Sequence, residues 1–424
     1  MRESILHYIW QQKLFTPHSL CSTDGELIDI IDVGKLNTDA GPDFFNAKIK
    51  IGDTIWAGNI EIHTLASDWY KHQHQNDKNF DNIILHVVKT ADIIVRRRNG
   101  EPVPQLELTY PQQIEKNYYR LINDQKWIPC AGKLKEVHHL FIKSWITTLL
   151  TERLELRTEA ISNILKEKNQ HWEEAFYIIL ARSFGFNTNS QAFEMLARSL
   201  PLSVISKHKN DLFQLEALLF GQAGFLEKPS NDNYVLKLKS EYNFLKAKYQ
   251  LKTMSAEQWK LLRLRPDNFP HLRIAQFAAL IHKSSGLFSK IIDRPEPETL
   301  HNLFQSEPSE YWKSHYLFEN ESIEKTKKLG KTSIYGLLIN TVIPFIFFYA
   351  LSKGNQELKE KAIQLFEQLP AENNAVTKGW TSLGVKIENA FDSQALLHLK
   401  KYYCDDKKCL RCRIGHKILT TQID

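Results

Sequence analysis

Asp43, Glu61 and His63 are the residues of this chain whose types and spacing best suit chemistry. Asp43 follows Gly41-Pro42 and opens one strand-like run, while Glu61-Ile62-His63 closes the next. If the two runs form an antiparallel hairpin, two carboxylates and an imidazole meet at one edge. Carboxylate oxygens are hard donors that suit Mg²⁺ or Mn²⁺, ions that keep waters for a nucleophile. A metal-held water attacking phosphorus in line is the reaction such a site supports. The plainer alternative is that Glu61 and His63 face solvent on a half-buried strand.

The outcome depends on the turn. Gly52-Asp53 is a hairpin signal between the runs. A three-residue loop would set Asp43 opposite His63 and Phe45 opposite Glu61, and side-chain alternation would then put all three polar groups on one face. A two-residue loop would send Asp43 to the other face.

A second constellation lies near the C-terminus. Cys404, Cys409 and Cys412 form a C-x4-C-x2-C array, and Cys130 is the best fourth ligand, with His416 the runner-up. Four thiolates suit tetrahedral Zn²⁺, and the spacing is similar to that of plant-type iron–sulfur ferredoxins. Lys407, Lys408, Arg411 and Arg413 would offset the charge. Bound metal would tie the end of the chain to the first domain. Cys21 stands alone and reads as structural.

Other residues are weaker. His72 and His74, two apart, share a face only in an extended segment, so a polar loop is the plainer reading. His86 lies inside an apolar run and reads as a buried histidine, although a strand beside the hairpin would bring it to the acids. Arg96-Arg97-Arg98, and Arg263 with Arg265, carry charge for phosphates or simply form solvated surface. No phosphate loop and no G-x-S-x-G elbow is present.

The elements that must position these groups can be read from periodicity. Ile5, Leu6, Ile9 and Trp10 are spaced for a helix. Strand-like runs follow at 26–33, 44–51, 54–63, 82–88, 93–97 and 105–108, with a short helix over 66–74 capped by Ser67. From Val137 long helical patterns take over, among them 145–166, 172–184, 191–199, 212–225, 233–248, 270–284 and 356–368. The fold class is therefore α+β: an N-terminal domain (1–130), a large mostly α-helical domain (137–400) and a Cys-rich tail (401–424) docking back on the first. Residues 334–351 carry no charge, but Asn340, Thr341 and Pro344 interrupt them, so a buried core helix is expected rather than a membrane span.

Composition is that of an ordinary globular protein, with a net charge of +6 over 424 residues. That charge permits contact with nucleic acid or a protein partner without demanding it. Five cysteines, three of them crowded together, do not form a secreted disulfide framework. With Met1-Arg2-Glu3-Ser4 leading into an amphipathic stretch, a cytoplasmic location is expected.

The order helix–strand–strand–strand–helix–strand over about residues 1–110, with Pro42-Asp43 and Glu61-Ile62-His63, resembles the PD-(D/E)xK nuclease superfamily. His63 replaces the lysine of that motif. The resemblance implies an αβββαβ nuclease-like domain, a Mg or Mn ion held by Asp43 and Glu61, and His63 orienting or deprotonating water. It also implies that Glu3 and His7, on one face of the first helix, join the site. Some nucleases of that superfamily divide four cluster-binding cysteines one plus three, which is similar to Cys130 with Cys404, Cys409 and Cys412. The resemblance thus implies a metal-dependent nuclease, and the lysine replacement implies the alternative of a non-catalytic scaffold that binds nucleic acid or protein. The whole chain also resembles an uncharacterised bacterial domain-of-unknown-function family, through GPDFFNAKI, GNIEIH, ASDW, LEALLFGQAG and CLRCRIGHKIL.

Overall fold

The computed structural model describes residues 3–15, 20–284 and 286–421. The chain divides into two compact units, Met1–Trp145 with Lys400–Asp424, and Ile146–Leu399. Residues 422–424 of the expected tail lie outside the described residues. The first boundary falls within the helix His139–Glu167, later than the break read at 130–137.

The first unit opens with helix α1 (Glu3–Gln11), which buries Ile5, Leu6, Tyr8, Ile9 and Trp10. Strands β1 (Ile28–Asp32) and β2 (Lys35–Leu36) precede the hairpin β3 (Phe44–Ile51) and β4 (Thr54–Leu65). Short helix α2 (Asp68–Lys71) leads to β5 (Ile83–Thr90) and β6 (Gln105–Glu107). Among the described residues these strands make one sheet in the order β1-β3-β4-β5-β6, with β2 also on β3. The pairs β1/β3 and β3/β4 are antiparallel, whereas β4/β5 and β5/β6 are parallel. Six consecutive residues of β5, Ile83 to Val88, are buried, because parallel neighbours flank it and packed layers cover its faces. The run at 93–97 forms no strand; Arg96 makes only an isolated bridge to Pro102.

The hairpin reaches its register by two steps. Its turn is the two-residue Gly52-Asp53, with Ile51 paired to Thr54 and Ala47 to Gly58. By alternation alone that turn would put Asp43 on the face away from Glu61. A bulge between Phe44 and Ala47 then shifts the pairing by one, so Phe44 faces Ile60. Asn46 takes the left-handed conformation at φ 56°, and its N–H donates to Asn59 Oδ1. Gly34 backs onto this bulge: at φ 85° a Cβ there would lie 2.8 Å from the Phe45 carbonyl oxygen.

Helix α3 (Gln112–Asn123) was not anticipated from periodicity. It receives the returning C-terminal helix α4 (Arg413–Thr420): Asn117 Nδ2 donates to the carbonyls of Ile418 and Leu419. Lys407 Nζ donates to the Ile122 carbonyl, satisfying an orphan acceptor at the end of α3. Tyr8 on α1 bonds His416 at 2.8 Å.

The second unit is helical. Its longer elements include 172–184, 190–199, 212–222, 233–249, 270–283 and 356–368, each within a few residues of its expected bounds. Between helix Pro297–Phe304 and the apolar helix lies the small hairpin His315–Leu317 with Asn320–Glu321. Gly286, at φ 64°, caps the start of helix Leu287–Asp293. The apolar helix Lys331–Ser352 is long and apolar enough to cross a membrane, but 67% of its apolar window is buried inside the protein. A π-turn over Leu338–Val342 opens the hydrogen-bond ladder just where Pro344 lacks an N–H.

Candidate metal centre

The bulge sets Asp43 beside Glu61. The Asp43 N–H donates to Glu61 Oε2 at 3.2 Å, and Asp43 Oδ2 accepts from the Ile62 N–H at 2.9 Å. His7 comes down from α1, with Nε2 3.2 Å from Asp43 Oδ2. Glu3, one turn earlier, lies within the fields of His72, Asp43 and His7. The four residues expected to hold metal, Asp43, Glu61, Glu3 and His7, therefore gather at one end of the sheet.

Behind them lies a cluster of imidazoles. His63, on the same face as Glu61, presents Nδ1 to His86 Nε2 at 2.8 Å and Nε2 to His72 Nδ1 at 3.0 Å. His74 stacks on His63 at 5.3 Å between centroids and brings its Nε2 within 3.1 Å of Glu61 Oε1. Donor atoms of His63, His72 and His74 all lie within 4.8 Å of one another. The loop does not need to be extended to achieve this. Gln73 takes the left-handed conformation at φ 61°, which turns the chain between His72 and His74.

Around this loop, α2 is shorter than expected and Ser67 makes no side-chain cap. Its N–H donates to Asp92 Oδ1 instead, while Asp68 accepts from the Leu65 N–H. Trp69, fully buried, packs against both His74 and His86.

Burial dominates the electrostatics. Glu61 is 5% exposed, and desolvation together with the Asp43 charge pushes its carboxyl far above the usual range. His63 is pushed down to about 2 and His86 to about 3, by burial and by neighbouring imidazoles. For His7, burial lowers the value, but the hydrogen bond and charge of Asp43 outweigh it and raise it. Neutral imidazoles offer lone pairs to a cation, and a bound cation would have to draw Glu61 into its ionised form.

The plainer alternative, with Glu61 and His63 facing solvent, is therefore overturned: both are buried. Both ring nitrogens of His63 are taken by other imidazoles, which leaves neither to orient or deprotonate a water. His86 is a buried histidine that also reaches the site. His72 and His74 were ranked low in sequence, since only the left-handed Gln73 makes their spacing useful. The arginines at 96–98 turn inward or pair locally, Arg97 to the Ile83 and Pro102 carbonyls and Arg98 to Asp81. Arg263 and Arg265 lie exposed ahead of a 3-10 turn rather than on a helix.

Cys130, Cys404, Cys409 and Cys412 lie within one another's electrostatic reach, although among the described residues only the histidine triad brings its donor atoms within 4.8 Å of one another. Cys404 feels the charges of the other three, and Cys130 those of Cys409 and Cys412. None is in a disulfide. Burial raises the thiols, Cys130 to about 12 and Cys409 to about 11, while Lys407 and Lys400 pull Cys409 and Cys404 down. Gly415 lets α4 press on this loop, where a Cβ would meet the Cys409 carbonyl at 2.1 Å. His416, bonded to Tyr8, is not a member. Lys408 pairs with Asp406, and Arg413 lies over the Trp145 ring. Cys21 is exposed, not a structural core thiol.

A family model described as a protein of unknown function (DUF2851) matches residues 3–375. The chain belongs to that DUF2851 family. No curated protein and no solved structure matches it. The DUF2851 match spans the sheet, the acidic pair, the histidine cluster and Cys130, and ends before Cys404.

Proposed function

We propose that the first unit is a metal-dependent nuclease that hydrolyses phosphodiester bonds. The observation that carries this reading is the bulged register, which brings Asp43 to Glu61 at the end of the hairpin. The order α1, four strands including the two-residue β2, α2 and then β5 parallel to β4 differs from the expected αβββαβ only by β2 and is compatible with the PD-(D/E)xK resemblance. Asp43 and Glu61 would hold the ion, and a bound Mg or Mn ion would supply a water-derived nucleophile and charge neutralisation. Asp43 is fixed by the Ile62 N–H and Glu61 by the Asp43 N–H, so neither carboxylate must reorganise on binding. His7, with Nε2 3.2 Å from Asp43 Oδ2, would orient that carboxylate on the ion.

The test is cleavage of single- and double-stranded DNA and RNA with Mg²⁺ or Mn²⁺ by the wild type, Asp43→Asn and Glu61→Gln. Cleavage lost in both folded variants supports the reading. A metal-loaded wild type that cuts none of the four substrates removes it. The burial of Glu61 and His63 favours a second reading, a metal-holding scaffold that binds nucleic acid or protein without turnover.

The four cysteines are proposed as the ligands of a Zn ion or an iron–sulfur cluster that fixes α4 to the first unit. Support comes from four thiols outside any disulfide and within one another's fields, three of them buried. A site with four protein thiolates would be structural.

A further inference from the structure

The histidine cluster has no role in the nuclease reading beyond His63. From its geometry we infer that Glu61, His63, His72 and His74 form a binding site for a first-row transition ion of the Zn²⁺ class, not for Mg²⁺. This deepens the proposed function by assigning the ion its carboxylates would share, and it is measurable without nucleic acid.

Distances between donors point to a common centre. His63 Nε2 lies 3.0 Å from His72 Nδ1 and 3.5 Å from Glu61 Oε1, and His74 Nε2 lies 3.1 Å from the same oxygen. Ligands bound tetrahedrally at about 2.1 Å from zinc stand roughly 3.4 Å apart. These three edges bracket that value, and the donors of His63, His72 and His74 all lie within 4.8 Å of one another, with Glu61 closing on the triad from the side of His63 and His74.

One of these contacts is not a hydrogen bond. His74 Nε2 is buried and has no hydrogen-bond partner, although it is so near Glu61. Close approach without alignment is what two ligands of one ion show, and not what a donor and acceptor show. When His63 donates through Nδ1 to His86, its Nε2 carries the lone pair that accepts from His72 Nδ1 here and that an ion would take in place of that proton. An outer partner that fixes a ligand's tautomer in this way is the usual support of a histidine-bound metal.

The donor types select the ion. Three imidazole nitrogens and one carboxylate oxygen suit Zn²⁺, Fe²⁺, Co²⁺ or Mn²⁺, whereas Mg²⁺ requires oxygen ligands and dehydrates reluctantly. His72 is exposed while His63 and Glu61 are buried, so an ion has an entry side and an enclosed seat.

The experiment is titration of chelator-treated full-length protein with Zn²⁺, Co²⁺ and Mg²⁺ by calorimetry, with visible absorption for Co²⁺. Wild type, His74→Ala, a His72→Ala/His74→Ala variant and Cys404→Ser are compared, with circular dichroism checking the fold. We expect Co²⁺ to give ligand-field bands that survive Cys404→Ser and are lost in the double histidine variant. Zn²⁺ affinity at that site should fall at least tenfold in His74→Ala, and Mg²⁺ should not compete. Histidine variants that bind Zn²⁺ and Co²⁺ like the wild type would overturn the site, as would equal competition by Mg²⁺. Should the double variant not fold, His74→Gln, which keeps volume and polarity, takes its place with the same two outcomes. Metal bound without cleavage would keep this site and remove the nuclease. Mg²⁺-dependent cleavage without Zn²⁺ or Co²⁺ binding would do the reverse.

Discussion

Asp43 and Glu61 are neighbours because of a bulge, not because of the turn that joins their strands. The Asp43 N–H donates to Glu61 Oε2 at 3.2 Å only after the extra residue between Phe44 and Ala47 has shifted the pairing. The acidic pair therefore depends on a backbone irregularity beside Asp43 and not on the distant turn.

Asn46 is the residue that tests this dependence. Its left-handed conformation is unfavourable for a β-branched side chain, so Asn46→Val should cost about 1–2 kcal/mol. Asn46→Gly should be close to neutral. Urea denaturation reads the stability, and divalent-ion affinity should fall in the valine variant alone. Unchanged affinity in a destabilised Asn46→Val protein would mean that the register survives without the bulge.

The cysteine cluster predicts a metal-dependent stability. Cys409→Ser, or treatment with a strong chelator, should lower the melting temperature and expose α4 to proteolysis. Elemental analysis and the visible spectrum of the purified protein distinguish Zn from an iron–sulfur cluster. Protein free of both metals, with an unchanged melting temperature in Cys409→Ser, would leave four inert thiols.

Tyr8 and His416 link the two ends of the first unit by a single hydrogen bond at 2.8 Å. Tyr8→Phe should therefore cost about 1 kcal/mol, the net worth of one such bond. Cleavage near α4 in limited proteolysis should quicken in the same variant, whereas a change at distant sites alone would argue for general loosening.

Glu216 in the second unit gives a pH prediction. It is fully buried and accepts hydrogen bonds from Tyr234, Ser309 and Trp312, yet burial pushes its carboxyl from 4.5 up to about 7. The unfolded chain thus ionises first, and stability falls as pH rises from about 4.5 to about 7. A shift of that size corresponds to about 3 kcal/mol. Below that window the contribution is fully present, and above it the loss is complete. Glu216→Gln should flatten this part of a denaturation profile, while Glu216→Ala should destabilise at every pH by leaving the buried Trp312 N–H unpaired and removing the shared acceptor of Tyr234 and Ser309.

Local patterns in the sequence determined a good deal. The apolar spacing of Ile5, Leu6, Ile9 and Trp10, the unbroken apolar run of β5 and the long helices after Val137 each follow from periodicities of a few residues. The acids Asp43 and Glu61, and the four cysteines, were also legible as candidate sites from residue type and spacing.

What the tertiary structure decided is the geometry between them. Strand register can change by one residue at a bulge, and Gly34 with Asn59, both remote in sequence, hold that bulge in place. His72 and His74 depend on one left-handed residue, and His86 on a parallel pairing in which it lies beside Glu61. Cys130 meets its partners only because the chain returns some three hundred residues later, as Asn117 does with Ile418 at a separation of 301. Periodicity is set by neighbours along the chain, whereas register and convergence are set by contacts whose energies no local window contains.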